Sequence, residues 1–122
     1  MAIETLHSPS TAAAGAAAQP RALFRRRAVR PKDLMFFLEQ LTLLLETGVT
    51  LHTALTSLRE GCGSPALAAV LDVITDDIAA GRSFSAALGR HPAVFSGTYV
   101  NLVAAGENGG FMPEVLKQLL QL

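Results

Sequence analysis

In the stretch VAAGENGGFMPEVL (residues 103–116) the carboxylate Glu107 stands among glycines, with Asn108 beside it and Gly106, Gly109 and Gly110 around it. Glycine allows positive φ and close backbone approach, so the segment suits a metal loop, a phosphate cradle or a tight corner between two helices. Calcium takes about six to eight oxygens. Glu107, Asn108 and nearby carbonyls supply part of such a shell, and Phe111 stands where a further oxygen would help. A phosphate cradle needs converging backbone N–H groups, and the neighbouring carboxylate opposes the anion. The plainer expectation is a structural corner built from Gly106, Glu107 and Gly110, with Glu107 as the one candidate calcium ligand and otherwise no cofactor.

A second group of acids is Asp72, Asp76 and Asp77. Asp72 and Asp76 share a helix face at i, i+4, a spacing open to a hard cation as well as to a solvated surface. The blander alternative is favoured, an acidic face turned to solvent, and such a face can steer a basic partner. His7, His52 and His91 have no local spacing for a metal. The lone Cys62 excludes an intrachain disulfide and reads as a small, partly buried thiol in a reducing compartment. No nucleophile elbow, P-loop or dinucleotide fingerprint occurs, so no enzymatic activity is expected.

Charge divides the chain in two. Residues 1–30 carry five arginines (Arg21, Arg25, Arg26, Arg27, Arg30) against Glu4, a net of +4, while residues 31–122 carry five cations against nine acids, a net of −4. The "RRR" cluster can meet nucleic acid phosphates or anionic lipid, or serve as a solubilising flank. Residues 8–20, SPSTAAAGAAAQP, are low in complexity, and residues 1–30 are expected to form a disordered basic tail. The start has no basic region followed by an apolar core, so it does not read as a secretory signal. No apolar run approaches the roughly 18–20 residues of a membrane span, and the chain is expected to be soluble.

The elements that must position these residues are all helical. Leu and Ala dominate, tryptophan is absent, and residues 31–122 follow a period near 3.6. Pro31 suits a first helical turn, Leu34 to Leu45 form an apolar stripe, and Gly48 ends it. Leu51 to Leu58 make a second helix, and Ser64 with Pro65 opens a third. In that third helix Leu67, Val70, Leu71, Ile74 and Ile78 face inward and the three aspartates outward. Ser83 caps a short fourth helix, a fifth runs through Phe95, Tyr99, Leu102 and Val103, and Pro113 starts a sixth. The expectation is an all-α fold, a compact bundle of about six short helices over residues 31–122, with Leu41, Leu55, Leu71, Ile74, Leu102 and Leu116 at its centre.

Three blocks, FFLEQLTLLLETGVTLHTAL, DDIAAGRSFSAALGRHPAVF and VNLVAAGENGGFMPEVL, together resemble the first cytoplasmic domain of the type II secretion system F family, the inner-membrane platform proteins of type II secretion and type IV pilus assembly. The likeness runs over roughly residues 33–122 and is sharpest at the GENGG segment. Phe111 and Met112 depart from the family's usual small or polar residue followed by leucine. The resemblance implies a six-helix bundle whose last two helices are joined at GENGG. It implies a non-catalytic scaffold on the cytoplasmic face of the bacterial inner membrane, contacting the hexameric assembly ATPase, other machine components and itself as a homodimer. Members carry two such bundles separated by transmembrane helices, so the chain is expected to be a fragment of a longer membrane protein, joined to the bilayer by segments outside it. The resemblance leaves one other reading, a small helical regulator that binds nucleic acid through its basic leader, although no nucleic acid is expected as a partner.

Overall fold

A computed structural model describes residues 28–122; the expected tail, apart from its last three residues, lies outside them. Six helices follow in order: α1 (Pro31–Glu46), α2 (Leu51–Glu60), α3 (Pro65–Ala79), α4 (Phe84–Gly89), α5 (Gly97–Gly109) and α6 (Met112–Leu119). Among the described residues there is no strand, and the fold is all-α.

The starts follow from local chemistry. A helix leaves its first backbone N–H groups without partners, and hydroxyl side chains supply them. Thr50 Oγ1 accepts from Thr53 N, Ser64 Oγ from Leu67 N and Ser83 Oγ from Ala86 N. Pro31 and Pro65 occupy first-turn positions, where proline's missing N–H costs nothing. Helices α1 and α3 run out into Gly48 and Gly81, at φ 93° and 98°.

Short connections make each helix the neighbour of the next. Helix α1 packs on α2, α2 on α3, α3 on α4, α4 on α5 and α5 on α6, and α6 then returns to pack on α1. The six therefore close into a ring around one core. Leu41, Leu55, Leu71, Ile74 and Leu116 are fully buried at its centre, joined by Phe84, Phe95 and Leu119. The one hydroxyl buried there, Thr42 Oγ1, donates to Leu38 O at 2.7 Å and leaves nothing unsatisfied.

In the fifth helix the structure differs from the sequence reading in phase. Helix α5 begins at Gly97, and Phe95 sits in the turn before it, buried and tilted against Tyr99 with ring centroids 6.4 Å apart. Each residue turns a helix by about 100°, so Val103 takes the inward position and Leu102 is only half-buried. Removing a buried leucine side chain costs about 2–5 kcal/mol through lost transfer energy and the cavity left behind. Leu71→Ala should therefore lower the urea-unfolding free energy by that amount, and Leu102→Ala by clearly less.

Candidate functional site

Helix α4 has six residues, too few to hold together by propensity and its own hydrogen bonds. Its N-terminus is fixed from two sides. Ser83 caps it locally, and Glu107, on the last turn of α5, reaches across from 23 residues away. Glu107 Oε2 accepts from Phe84 N at 2.6 Å and Oε1 from Ser85 N at 3.1 Å. A carboxylate at the positive end of a helix gains from the backbone dipoles as well as from the two charge-assisted bonds. The anchored helix then places Phe84, Ala87 and Leu88 in the core.

The GENGG corner is smaller than expected. Helix α5 continues through Gly106, Glu107, Asn108 and Gly109, and Gly110 alone turns the chain, at φ 78°. The N–H groups of Gly110 and Phe111 both donate to Gly106 O, at 2.9 and 3.0 Å, closing the helix end. Gly106 serves packing instead. It is buried, and a Cβ added there would lie 2.9 Å from Val115 Cγ2 and 3.3 Å from Met112 Cα. A side chain there would collide with α6. Phe111 folds back over Gly109, where an added Cβ would overlap its ring. Both Glu107 oxygens are already engaged as acceptors, and among the described residues no group of three or more His, Cys, Asp or Glu side chains is placed to hold a metal ion.

The three aspartates of α3 do not form one outward face. Asp72 accepts from Arg59 Nε of α2 at 2.6 Å, in a pair exposed on both sides. Asp76 is exposed and has no ion-pair partner among the described residues. Asp77 is buried, contrary to the sequence reading: both of its oxygens accept from Arg90 Nη1, at 2.8 and 2.9 Å, and Arg82 Nε lies 3.4 Å away. Helix phase explains the difference. Asp77 lies three residues beyond Ile74 and shares its inward side, whereas Asp72 and Asp76 share another. Arg82 and Arg90, each following a glycine, form a polar tie between the end of α3 and α4 that residue-by-residue reading does not reveal.

His91, next in the chain, is half-buried, and its Nε2 has no hydrogen-bond partner. Burial, with Arg90 adding to it, pushes its pKa below the ordinary imidazole value, while Asp77 acts the other way. His52 is exposed on α2, and His7 lies outside the described residues, so no histidine cluster exists among them. Cys62 is half-buried beside a groove of about 630 Å³ between the start of α1 and the α2–α3 turn, which Arg30, Phe36, Phe37 and Leu67 also line.

Residues 37–122 match the sequence model of the family described as type II secretion system (T2SS), protein F. The chain is 35% identical over 91 residues to a type IV pilus assembly protein PilC of Myxococcus xanthus, covering 75% of this chain and 22% of that one. It is 39% identical over 88 residues to the Thermus thermophilus protein of the same name, covering 72% and 21%. It is 33% identical over 97 residues to a type II secretion system protein F of Aeromonas hydrophila, covering 80% and 25%. The chain thus spans a quarter or less of the length of these curated relatives.

Two outcomes follow from the site's geometry. Glu107→Ala strands the Phe84 and Ser85 N–H groups and should cost about 2–3 kcal/mol, with Glu107→Gln losing less, by chemical denaturation. His91 resists in the folded state a proton that the unfolded chain accepts below about pH 6.5. Above that value both states are neutral and the residue has no effect. Stability should therefore fall as the pH drops through this range, and the fall between pH 7.5 and 5.5 should be smaller in His91→Asn.

Proposed function

The chain belongs to the type II secretion system protein F family, and from that membership we propose that it is a scaffold domain of an inner-membrane platform protein, without turnover of its own, serving type II secretion or type IV pilus assembly. It would stand on the cytoplasmic face of the membrane and act by contact with the hexameric assembly ATPase, with other machine components and with a second copy of itself. The match of residues 37–122 to the family carries this reading. The manner in which the polar groups are spent is consistent with it: Glu107, Asp77 and Arg90 tie helices to one another. Among the described residues, no helix is long and apolar enough to cross a membrane.

For the ATPase contact, the outward part of α3 is the proposed surface. Asp72 and Asp76 share that side, and Asp76 has no ion-pair partner among the described residues. Asp77 is occupied within the fold, and reversing it would test stability rather than binding. Exposed charge steers association and is screened over roughly 8 Å at physiological ionic strength. Asp76→Lys should weaken binding to the cognate ATPase in titration calorimetry, more at low salt than at high salt, with the melting temperature unchanged. Wild-type affinity from the variant would remove α3 from the interface. Binding of calcium at Glu107 would have to displace two N–H bonds, and a melting temperature insensitive to millimolar calcium would exclude it.

A further inference from the structure

Met35 and Phe36 stand in the second turn of α1, 40% and 61% exposed, and Leu43, two turns further on, is 56% exposed. At about 100° per residue these three share the outer stripe of α1 with Lys32 and Glu39, both exposed. The core beneath is filled by Phe37, Leu38 and Leu41, so the stripe adds nothing to the closure of the ring. The charges on it are placed against their own helix. Backbone dipoles favour acids at a helix start and cations at its end, whereas α1 has Lys32 in its first turn, Glu46 in its last, and no basic residue there. Asp33, the exception, is half-buried about 100° round from Lys32 and lines the groove beside Cys62 instead. Glu46 is held by Lys117, while Lys32 and Glu39 have no ion-pair partner among the described residues.

We propose that this stripe is the face through which two copies of the chain pair, their α1 helices antiparallel across a two-fold axis that passes between Met35 and Phe36. In such a contact residue i meets residue j and j meets i. Lys32 of each copy then lies over the partner's Glu39, and Met35 over the partner's Phe36. Charge decides both the occupant and its direction. The stripe is cationic at its start, acidic further on and apolar between, so it complements itself when reversed. A parallel pair would set Lys32 on Lys32 and Glu39 on Glu39, and a two-fold axis at Glu39 would press two carboxylates together. A partner of one charge sign would satisfy Lys32 or Glu39 and oppose the other. The contact is small, below the roughly 1,200 Å² of standard interfaces, and therefore weak and reversible. The proposal gives a face to the self-contact of the platform reading, on which it rests.

The test is sedimentation equilibrium of the full chain over a dilution series. The expected result is a reversible monomer–dimer equilibrium. Phe36→Glu should weaken it at least roughly tenfold, as loss of a central aromatic anchor does, with circular dichroism and melting temperature unchanged. Lys32→Glu and Glu39→Lys should each weaken pairing alone and regain it when the two variants are mixed, because every charge on the stripe then faces its opposite. Recovery on mixing reads the antiparallel register, and a variant that had merely lost its fold would not show it. A chain that is monomeric at every dilution would overturn the face and the self-contact together. A dimer indifferent to Phe36→Glu, or charge variants that do not recover on mixing, would overturn the face alone and assign the self-contact to another surface.

Discussion

Helix α4 exists because a carboxylate from a distant helix satisfies backbone donors that its own sequence cannot. Six residues form fewer than two helical turns, and nucleating so short a helix is unfavourable without outside help. Glu107 and Ser83 between them supply acceptors for the N–H groups of Phe84, Ser85 and Ala86. With α4 held in place, Phe84 and Leu88 can enter the core, and Arg90 at the helix's far end can reach Asp77. Remove the carboxylate and three consequences arrive together: unpaired donors, a loosened aromatic core residue and a slackened link to α3.

The four ion pairs among the described residues do not weigh equally. Lys117 with Glu46 ties α6 to α1, and Arg59 with Asp72 ties α2 to α3, but in both pairs the partners are well exposed. Such pairs contribute about 0–1 kcal/mol once screening and side-chain entropy are counted. Asp77 differs because its carboxylate is nearly enclosed while the arginines that hold it keep contact with water. Losing Arg90 would leave a buried charge with only the more distant Arg82, and an unpaired buried charge is far more costly than a lost surface pair. Asp77, the one buried carboxylate among the described residues, thus lies at the junction of α3 and α4, next to the helix that Glu107 anchors.

Local signals in the sequence are enough for the helices and most of their starts. Pro31, Ser64 with Pro65, and Ser83 act within a few residues of themselves, and their effect is visible without knowing what lies across the bundle. The inward stripes of α1 to α3 are legible for the same reason, since periodicity is local. What escapes is long-range or a matter of phase. Glu107 meets Phe84 and Ser85 across 22 or 23 residues, and nothing in the pattern around position 107 names that partner. Leu102 and Val103 are both apolar, so composition cannot choose between them once the helix start is misplaced by two residues. Asp77 looks like its neighbours Asp72 and Asp76 in the sequence, and one helix step separates it from them. GENGG reads as a corner because glycine is a poor helix former, yet Gly106 lies within the helix, where its lack of a side chain leaves room for Val115.

The closed ring carries an implication for how the chain reaches this state during synthesis. Most of the packing between helices joins neighbours in sequence, and such short-range contacts form quickly because little chain entropy is lost in closing them. The packing of α1 on α6 must wait until nearly the whole domain has left the ribosome. Until then the inner side of α1 lacks the cover that α6 provides. The nascent bundle is therefore an open arc with an uncovered apolar seam, and emergence of its last helix is the event that seals it.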